Sequence, residues 1–468
     1  MSSETQTPLL TDFPAYEKQA IKVESTGTLL AWFPLLLILA VAIAIRLPML
    51  TQVGYRWDLY SFEDWIRRAD KNGFLALYAQ PAPDEGIETD HPPLGVALLD
   101  LSSRLYLDSA GQVNSVPPNH AVDSTPQYVR ALKLPPFIFD LLLVCIGYGI
   151  ALREANWRWA IAVGCALALN PALFIDSAWW GQTDVIFTTF MVMTIYALHR
   201  RWITVTWVLY AIAILAKFQA IALLPLILVL GYRRTNLKRM AIGALIFAAL
   251  ILIPLLPFMA VSGVSETLRP YLEASGKYPF ITVKADNFWL WSLASTRNME
   301  SSWDKMPPDS QVTWGDGIYW GPISGRIVGM ALFGLCALVI VARGWQNPDQ
   351  GNDYLLAAGL YVAFFTFAPE MQVRYLYPAI PLITLAGIKR PSIWLLWLGL
   401  SVVCLFNILA ETLYTRNPFW NFIYLAMPWH SYQVARLEVV LCVALMVFIL
   451  AHRKDAPAYP NSAQSSAG

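Results

Sequence analysis

The chain has 468 residues, of which 57% are apolar and 14% charged, and its formal net charge is +1. A soluble protein of this length could not keep so much apolar surface away from water, and a nucleic-acid-binding protein would carry an excess of basic residues. Composition and charge therefore exclude both classes and indicate a protein that spans a membrane.

The apolar runs predict an all-α polytopic membrane protein. Residues 1–28 are polar and predict a cytoplasmic tail, and the run that follows is too long for a cleaved signal peptide. About 12 transmembrane helices are predicted within residues 29–452, and residues 453–468 predict a disordered cytoplasmic tail. The runs lie at 29–49, 134–152, 159–176, 184–198, 203–216, 220–231, 241–261, 327–341, 354–368, 376–387, 393–413 and 437–451.

Basic residues cluster in every second loop, and this pattern predicts the orientation of the chain in the membrane. They lie at Arg153, Arg158, Arg200, Arg201, Arg233, Arg234, Lys238, Arg239, Lys389, Arg390, Arg453 and Lys454. Positively charged loops remain on the cytoplasmic side, so the long loops 51–133 and 262–324 are predicted to face the periplasm or an organelle lumen. The absence of an N-x-S/T motif favours a bacterial cytoplasmic membrane, with the endoplasmic reticulum as the alternative.

The two long outer loops differ in pattern. Apolar residues recur at helical spacing in the first loop at Phe62, Trp65, Ile66 and Ala69, and again at Leu94, Ala97, Leu98, Leu101 and Leu105. This spacing predicts two amphipathic helices on the membrane surface, with Glu63 and Asp64 as solvated charges on the first. The second loop contains Trp289, Trp291, Trp303, Trp314 and Trp320, which suit either a sugar-binding platform or an interfacial aromatic belt.

Carboxylates follow the first predicted span. Asp58 lies between this span and the first amphipathic helix, and a carboxylate with an ordinary pKa of about 3.9 is ionised and can accept a proton from an attacking hydroxyl. We therefore predict Asp58 as a catalytic base. Asp90 and His91 precede two prolines that hold the chain extended, so this pair either binds substrate or only fixes the second helix. One histidine with scattered carboxylates is weak support for a metal site.

Two cations lie at outer turns within apolar sequence. Lys217 occurs in AKFQ and Arg374 in PEMQVRYLYP, and neither has an obvious carboxylate partner in its own helix. A cation at such a depth costs a few kcal/mol, and a phosphate at the outer interface would satisfy both, while the alternative is that each extends to the headgroups. The same or neighbouring turns contain further predicted substrate-binding residues, namely Gln182, Asp184, Gln219, Gln372 and Tyr375.

These motifs resemble those of the GT-C superfamily of polytopic glycosyltransferases, which use polyprenyl-phosphate sugars. The resemblance is strongest to dolichyl-phosphate-glucose glucosyltransferases of N-glycan assembly and to bacterial mannosyltransferase-like relatives. Asp58, seven residues before Trp65, is similar to the family's general base. DHPPL from Asp90 is similar to its (D/H)YPPL segment, and GQTD from Gly181 to its outer GQxD turn.

Two further motifs follow in family order. KFQAIALLP from Lys217 is similar to the KQ(M/x)AL..P stretch of the family, and QVRYLYP resembles its H-E-(K/R) turn. The last match departs from the family, since Gln372 and Val373 stand where His and Glu are usual, although Arg374 is retained. The matches cover most of the chain.

The resemblance implies an inverting hexosyltransferase. It would move mannose or glucose from a polyprenyl-phosphate carrier to a hydroxyl of a lipid-linked or surface glycan on the non-cytoplasmic face. Asp58 would act as the base, Lys217 and Arg374 would hold the donor phosphate, and no metal or other cofactor is expected. The five cysteines, Cys145, Cys165, Cys336, Cys404 and Cys442, occur singly in apolar runs and are predicted to be packing residues.

Two other classes of protein remain as alternatives. A transporter or flippase would move a lipid-linked sugar without chemistry, and its signature is an inverted repeat with a site at the membrane midplane. The sequence shows no such repeat. A non-catalytic scaffold is the third possibility, but it leaves the two cations in apolar sequence unexplained.

Overall fold

A computed structural model describes residues 25–81, 86–107, 125–273, 280–294, 324–348, 353–412 and 431–451. These residues form helices, short helical turns and isolated β-bridges, which confirms the all-α fold class. Residues 1–24 of the predicted N-terminal tail, the predicted C-terminal tail, the turn near Asn417, and the tryptophans Trp303, Trp314 and Trp320 of the predicted sugar platform or interfacial belt lie outside the described residues. The last four residues of the predicted N-terminal tail, 25–28, belong to the first helix.

The described residues contain seventeen α-helices, numbered here in chain order. They are α1 Ser25–Arg46, α2 Arg56–Asn72, α3 Pro93–Leu107, α4 Pro126–Glu154, α5 Trp157–Ala168, α6 Pro171–Phe174, α7 Asp184–His199, α8 Ile203–Ala216, α9 Leu224–Arg234, α10 Leu237–Ser262, α11 Val264–Leu272, α12 Phe288–Ala294, α13 Gly325–Gln346, α14 Asp353–Phe367, α15 Ala379–Ala386, α16 Ile393–Thr412 and α17 Ser431–Ala451. A π-helical turn, Ile175–Trp180, continues α6, and 3-10 turns lie at Leu47–Met49, Phe74–Ala76 and Phe218–Leu223.

The chain is an integral membrane protein. Within the described residues, 6 helices are long and apolar enough to cross a membrane, or 7 if the bent pair α5 and α6 forms one span. Their outer surfaces are apolar and exposed, as at Leu245, Ile253 and Leu338, which suits contact with lipid tails. Three shorter apolar helices, α7, α8 and α14, add to these. The total of about 12 spans and the predicted domain limits stay predictions.

Asparagines begin several of the helices. The side chain of Asn156 accepts hydrogen bonds from the first turn of α5, Asn170 does so for α6, and Asn236 for α10. An asparagine at this position satisfies backbone N–H groups that the helix itself leaves without acceptors. Asn170 also donates a 2.9 Å hydrogen bond to Ser401, which fixes the break between α5 and α6 against α16.

The centre of the bundle is formed by α7, α14 and α15, whose residues are buried on almost all sides. A fully buried ion pair joins two further helices, since Arg46 of α1 donates to both carboxylate oxygens of Asp140 in α4. Asp140 also accepts from Ser177 in the π-helical turn. The first span is therefore held against the turn that leads to the predicted GQTD motif.

The two helices predicted in the first outer loop are present as α2 and α3, and they pack on each other and on α4. The prediction that Glu63 and Asp64 are solvated is wrong, because both side chains are buried. Asp64 pairs with Arg67 and Arg68 and accepts a 2.8 Å hydrogen bond from the backbone N–H of Ile87. Its charge thus fixes the loop that follows α2.

Candidate functional site

The WWGQTD motif forms a tight turn between α6 and α7. The π-helical turn ends at Gly181, which has a φ of 88° and whose N–H, like that of Gln182, donates to the carbonyl of Asp176. A side chain at position 181 would be strained by this φ, and its Cβ would lie 2.8 Å from a side-chain carbon of Lys133. Single π turns of this kind often lie at functional sites. Here the turn directs Trp180 and Gln182 toward α2.

Two close contacts fix this turn to the segment before α2. The ammonium of Lys133 is buried and donates to the carbonyls of Met49, Gln52 and Trp179. Gly54 lies so close to the turn that a Cβ there would approach the Trp179 carbonyl oxygen to 2.5 Å. The segment that begins α2 therefore has a defined position relative to Trp179 and Trp180.

Asp58 lies in the first turn of α2, where the helix dipole favours a negative charge. Its Oδ2 accepts a 2.8 Å hydrogen bond from Trp180 Nε1 and a second bond from Gln182 Nε2. The guanidinium of Arg374 lies 3.9 Å away, and the Asp58 side chain remains 18% exposed. The carboxylate is thus held in place by two donors and is still accessible to a ligand.

Asp184 joins the two predicted phosphate-binding cations. Its Oδ1 is 2.8 Å from Lys217 Nζ, and its Oδ2 is 3.2 Å from Arg374 Nε. The side chains of Lys217 and Arg374 are only 4% and 10% exposed, so they do not extend to the headgroups as the alternative required. Arg374 also lies over the Trp180 ring, 5.6 Å from its centroid. Asp58, Lys217 and Arg374 therefore belong to one cluster.

A further carboxylate borders this cluster. Asp176 lies in the π-helical turn, is fully buried, and interacts electrostatically with Asp58, Asp184, Lys217 and Arg374. Neither of its side-chain oxygens has a hydrogen-bond partner among the described residues. A buried carboxylate without such partners is costly, and clusters of this kind are typical of functional sites.

Tyr375 and Gln219 support the cations from one side. Gln219 Nε2 donates a 3.0 Å hydrogen bond to the hydroxyl of Tyr375. The Tyr375 ring centroid lies 5.6 Å from the Lys217 ammonium and 5.9 Å from the Arg374 guanidinium. The ring therefore contacts both cations, and Gln219 fixes the ring.

Asp90 and His91 form a separate pair. His91 Nδ1 lies 2.7 Å from Asp90 Oδ1, and its imidazole packs against the rings of Phe62 and Trp65. The backbone carbonyl of His91 accepts a 2.8 Å bond from Tyr78, whose buried position raises the pKa of its hydroxyl well above the usual value. The role of the pair in substrate binding stays a prediction.

Gln372 is the remaining residue predicted to bind substrate. It lies beside a segment for which the sequence predicted no role. Residues 280–287 belong to the second predicted outer loop and are here called the strap. Isolated β-bridges join Val283 and Lys284 of the strap to Gln372. Lys284 pairs with Glu411 of α16 at 3.2 Å. Burial lowers the pKa of the Lys284 ammonium, and Glu411 opposes this shift. A second buried cation–carboxylate pair thus lies near Arg374.

Four residues of the site were missed at the level of sequence. Two of them could have been predicted from the sequence. Trp180 belongs to the WWGQTD motif, and Asp176 is an ionisable residue inside an apolar run, as Lys217 is. The other two, Lys284 and Glu411, come from distant parts of the chain, and only the packing of the strap on α16 brings them together.

Metal-ligating side chains do not gather in the part of the chain that the structure describes. It contains no group of three or more His, Cys, Asp or Glu side chains that could hold a metal ion.

No family model and no curated protein sequence matches the chain. Solved structures do. The crystal structure of ArnT from Cupriavidus metallidurans in the apo state is 15% identical, covers 91% of this chain and 77% of its own, and has a TM-score of 0.50. The structure of the same protein bound to undecaprenyl phosphate is 14% identical, covers 91% and 78%, and has a TM-score of 0.48.

A third solved structure is the apo form of the Archaeoglobus fulgidus oligosaccharyltransferase, which is 12% identical, covers 87% of this chain and 56% of its own, and has a TM-score of 0.37. At such identities the likeness concerns the fold, and the apo ArnT structure shares it over most of the chain. The chain therefore shares its overall fold with the apo ArnT structure, and the resemblance of its motifs to the GT-C superfamily agrees with an all-α membrane fold of this kind.

Proposed function

We propose that this protein is an inverting glycosyltransferase that moves a hexose from a polyprenyl-phosphate carrier to a hydroxyl group of a glycan acceptor. The observation that carries the proposal is one cluster in which a partly exposed carboxylate, Asp58, faces two buried cations. Arg374 lies 3.9 Å from Asp58, and Asp184 joins Arg374 to Lys217. This set supplies a base and a phosphate site within one small space.

The chemistry follows from these groups. Asp58 accepts the proton of an acceptor hydroxyl as its oxygen attacks the anomeric carbon. The bond from that carbon to the phosphate oxygen breaks, its electron pair leaves with the lipid phosphate, and direct displacement inverts the anomeric carbon. Trp180 and Gln182 hold Asp58 in a fixed orientation, which keeps the base within reach of the attacking hydroxyl.

The cations act on the leaving group. An ammonium has three N–H donors and a guanidinium five, so Lys217 and Arg374 can each bind Asp184 and a phosphate oxygen at once. Donors fixed in advance where negative charge develops are often the largest catalytic term. Asp184 is a positioning residue in this mechanism, since it holds the two cations apart at a defined spacing.

The lipid carrier and the side of the membrane are part of the proposal. The cluster lies where several apolar helices end, which suits a phosphate at the membrane interface with its polyprenyl tail among the helices. The positive-inside pattern of the sequence predicts that this end faces away from the cytoplasm. A transporter would instead need its site near the membrane midplane, so this placement favours transfer over transport.

The test measures release of lipid phosphate by purified protein in detergent, with synthetic short-chain polyprenyl-phosphate glucose and mannose and a membrane extract as acceptor. We expect release from one donor and a loss of about 100- to 10,000-fold in the Asp58→Asn variant, because the base is removed while the shape is kept. Asp70→Asn is the matched control, since Asp70 is a partly exposed carboxylate on the same helix that pairs with Arg104. Release from neither donor by the wild-type protein would refute the proposal.

A further inference from the structure

The strap, residues 280–287, is a segment of the second predicted outer loop and is buried over most of its length. Its residues 281–287 are all less than a tenth exposed. It is held to the segment before Arg374 by backbone hydrogen bonds, from Glu370 N to the Ile281 carbonyl at 3.2 Å and from Val283 N to the Met371 carbonyl at 2.9 Å. A connecting segment buried over seven consecutive residues has a fixed position, and a fixed position is what a binding surface requires.

Two residues of this junction have left-handed backbone conformations. Lys284 has a φ of 62° and Glu370 a φ of 63°, although both carry a Cβ. Such conformations are unfavourable for residues other than glycine and persist where the surrounding structure fixes them, most often at ligand sites. The left-handed conformations of Lys284 and Glu370 therefore make the junction between the strap and the segment before Arg374 a candidate ligand site.

The side chains at the junction combine hydrogen-bond donors and acceptors. Lys284 Nζ lies 3.2 Å from one carboxylate oxygen of Glu411 and 3.3 Å from the other, and both side chains are buried. The amide oxygen of Gln372 is buried without a hydrogen-bond partner among the described residues. A buried acceptor without a partner is costly, so a ligand that donates to Gln372 would gain from it.

This group borders the proposed transferase site. Gln372 forms the β-bridge to Lys284 and lies two residues before Arg374. Lys284, Glu411 and Gln372 therefore adjoin the turn that contains Arg374, one of the two phosphate-binding cations.

The charge of the group favours a neutral ligand. Lys284 and Glu411 cancel each other, so a phosphate would meet repulsion from Glu411 as well as attraction to Lys284. A sugar carries no charge, and each of its hydroxyl groups both donates and accepts. An ammonium, a carboxylate and an amide oxygen together offer the donors and acceptors that adjacent hydroxyls need.

We propose that Lys284, Glu411 and Gln372 form the subsite that binds the hydroxyl groups of the transferred sugar. This inference rests on the proposed transferase function. It assigns two different parts of the donor to two different groups, with the phosphate at Lys217 and Arg374 and the sugar ring at the junction of the strap.

The test compares binding of two ligands to protein in nanodiscs, a short-chain polyprenyl phosphate without sugar and the same lipid phosphate carrying the hexose that the wild-type protein uses. The variant is Lys284→Met with Glu411→Gln, which removes both charges together so that neither is left buried alone. We expect its affinity for the sugar-bearing lipid to fall by about 10- to 100-fold, since each lost hydrogen bond to a charged group is worth about tenfold. Affinity for the sugar-free lipid should stay within about twofold of wild type.

A second variant, Gln372→Leu, removes the amide and leaves every charge in place. It should lower only the affinity for the sugar-bearing lipid, by about tenfold. It keeps the test valid if the double variant fails to fold. The matched control replaces the more exposed pair of the first outer loop, Arg104→Gln with Asp70→Asn, and should change neither affinity.

Two results would overturn the subsite. Equal weakening of both ligands would place Lys284 at the phosphate, and unchanged affinity for both would make the pair purely structural. If the wild-type protein binds neither lipid, the proposed function itself fails. If the wild-type protein binds both lipids and the variants bind them equally well, only the subsite fails and the proposed function stands.

Discussion

Each end of the helical bundle contains a buried carboxylate that binds two cationic or basic side chains, and the two ends differ in how completely these groups are paired. At the site end, Asp184 lies 2.8 Å from Lys217 and 3.2 Å from Arg374. At the opposite end, Asp353 accepts from Arg234 with one oxygen at 2.6 Å and the other at 2.7 Å. Charge and burial alone do not separate these two clusters.

The hydrogen bonds around each cluster do separate them. Arg234 also donates to the carbonyls of Pro348 and Leu198, and Asp353 lies 3.2 Å from His199 Nδ1. These bonds join the end of α7 to α9 and to the start of α14. A cluster whose cation and carboxylate bind protein on every side acts as a structural clamp.

The site end keeps unused hydrogen-bonding capacity. Within the described residues, buried side-chain oxygens without a hydrogen-bond partner include both of Asp176, Oε1 of Gln182 and Oε1 of Gln372. Buried polar atoms are normally satisfied, and exceptions need an explanation such as a ligand that is bound during function.

One such oxygen, Oε2 of Glu154 beside His199, lies at the opposite end, so the contrast holds for the two ion-paired clusters themselves. Arg234 and Asp353 are fully paired, whereas Asp184 Oδ2 and Arg374 Nε have no hydrogen-bond partner among the described residues. The comparison teaches that incomplete pairing within the cluster, more than burial of charge, distinguishes the site end.

The largest expected contrast comes from removing the arginine at each end. Arg374→Met should lower kcat by about 100- to 1,000-fold, because a donor to the leaving phosphate is lost. Its free energy of unfolding should fall less than that of Arg234→Met, since Asp184 keeps Lys217 and Asp58 keeps its hydrogen bonds from Trp180 and Gln182. Arg234→Met should do the opposite, with destabilisation of about 3–5 kcal/mol and normal turnover per folded molecule, because it leaves Asp353 buried without its main partner.

Lipid phosphate release and the thermal midpoint, measured on the same preparations, check this contrast. Equal loss of stability in both variants, with turnover unaffected, would show that the two clusters are alike. Loss of turnover in the Arg234→Met variant at full folding would show that the opposite end takes part in the reaction.

Sequence alone could predict which residues share one end of the bundle. Asp58, Lys217 and Arg374 lie far apart in the chain, yet the alternation of spans and basic loops assigns all three to the same side. Their meeting in one cluster follows from topology, since helices that cross a membrane together bring their ends to one plane. The apolar runs predicted the helices for the same physical reason.

Contacts between helices could not be predicted in this way. The pairing of Asp184 with both cations depends on how α7 rotates against α8, and no pattern within one helix reports that rotation. The position of the strap could not be predicted for another reason. Its path depends on left-handed conformations at Lys284 and Glu370, which residues of these types adopt only under tertiary constraint.

A glycine tests whether the position of α2 matters for the site end. In Gly54→Ala, the new Cβ would meet the carbonyl oxygens of Trp179 and Trp180 at 2.5 and 2.7 Å, and backbone atoms cannot rotate away. The start of α2 must then shift, and Asp58 with it. We expect kcat to fall by about 10- to 100-fold, since a displacement of about 1 Å costs that much in an oriented site.

Gly334→Ala is the matched control for this variant. Gly334 lies in α13, where an added Cβ meets no atom within 4 Å, so turnover should be unchanged and the helix slightly favoured. Normal turnover in Gly54→Ala would mean that the site tolerates movement of α2, and the role of Asp58 as a fixed base would then be wrong.

The smallest expected effects come from single hydrogen bonds at the two ends. Tyr375→Phe keeps the ring beneath Lys217 and Arg374 but loses the bond from Gln219, and a net loss of about 1 kcal/mol predicts about a fivefold fall in kcat/KM. His199→Gln weakens a contact to Asp353, whose two bonds from Arg234 remain, so it should lower the thermal midpoint slightly and leave kcat/KM unchanged. Steady-state kinetics measure kcat/KM and thermal unfolding measures the midpoint for both variants. A reversed result, with slower turnover from His199→Gln alone, would mean that incomplete pairing does not mark the reactive end.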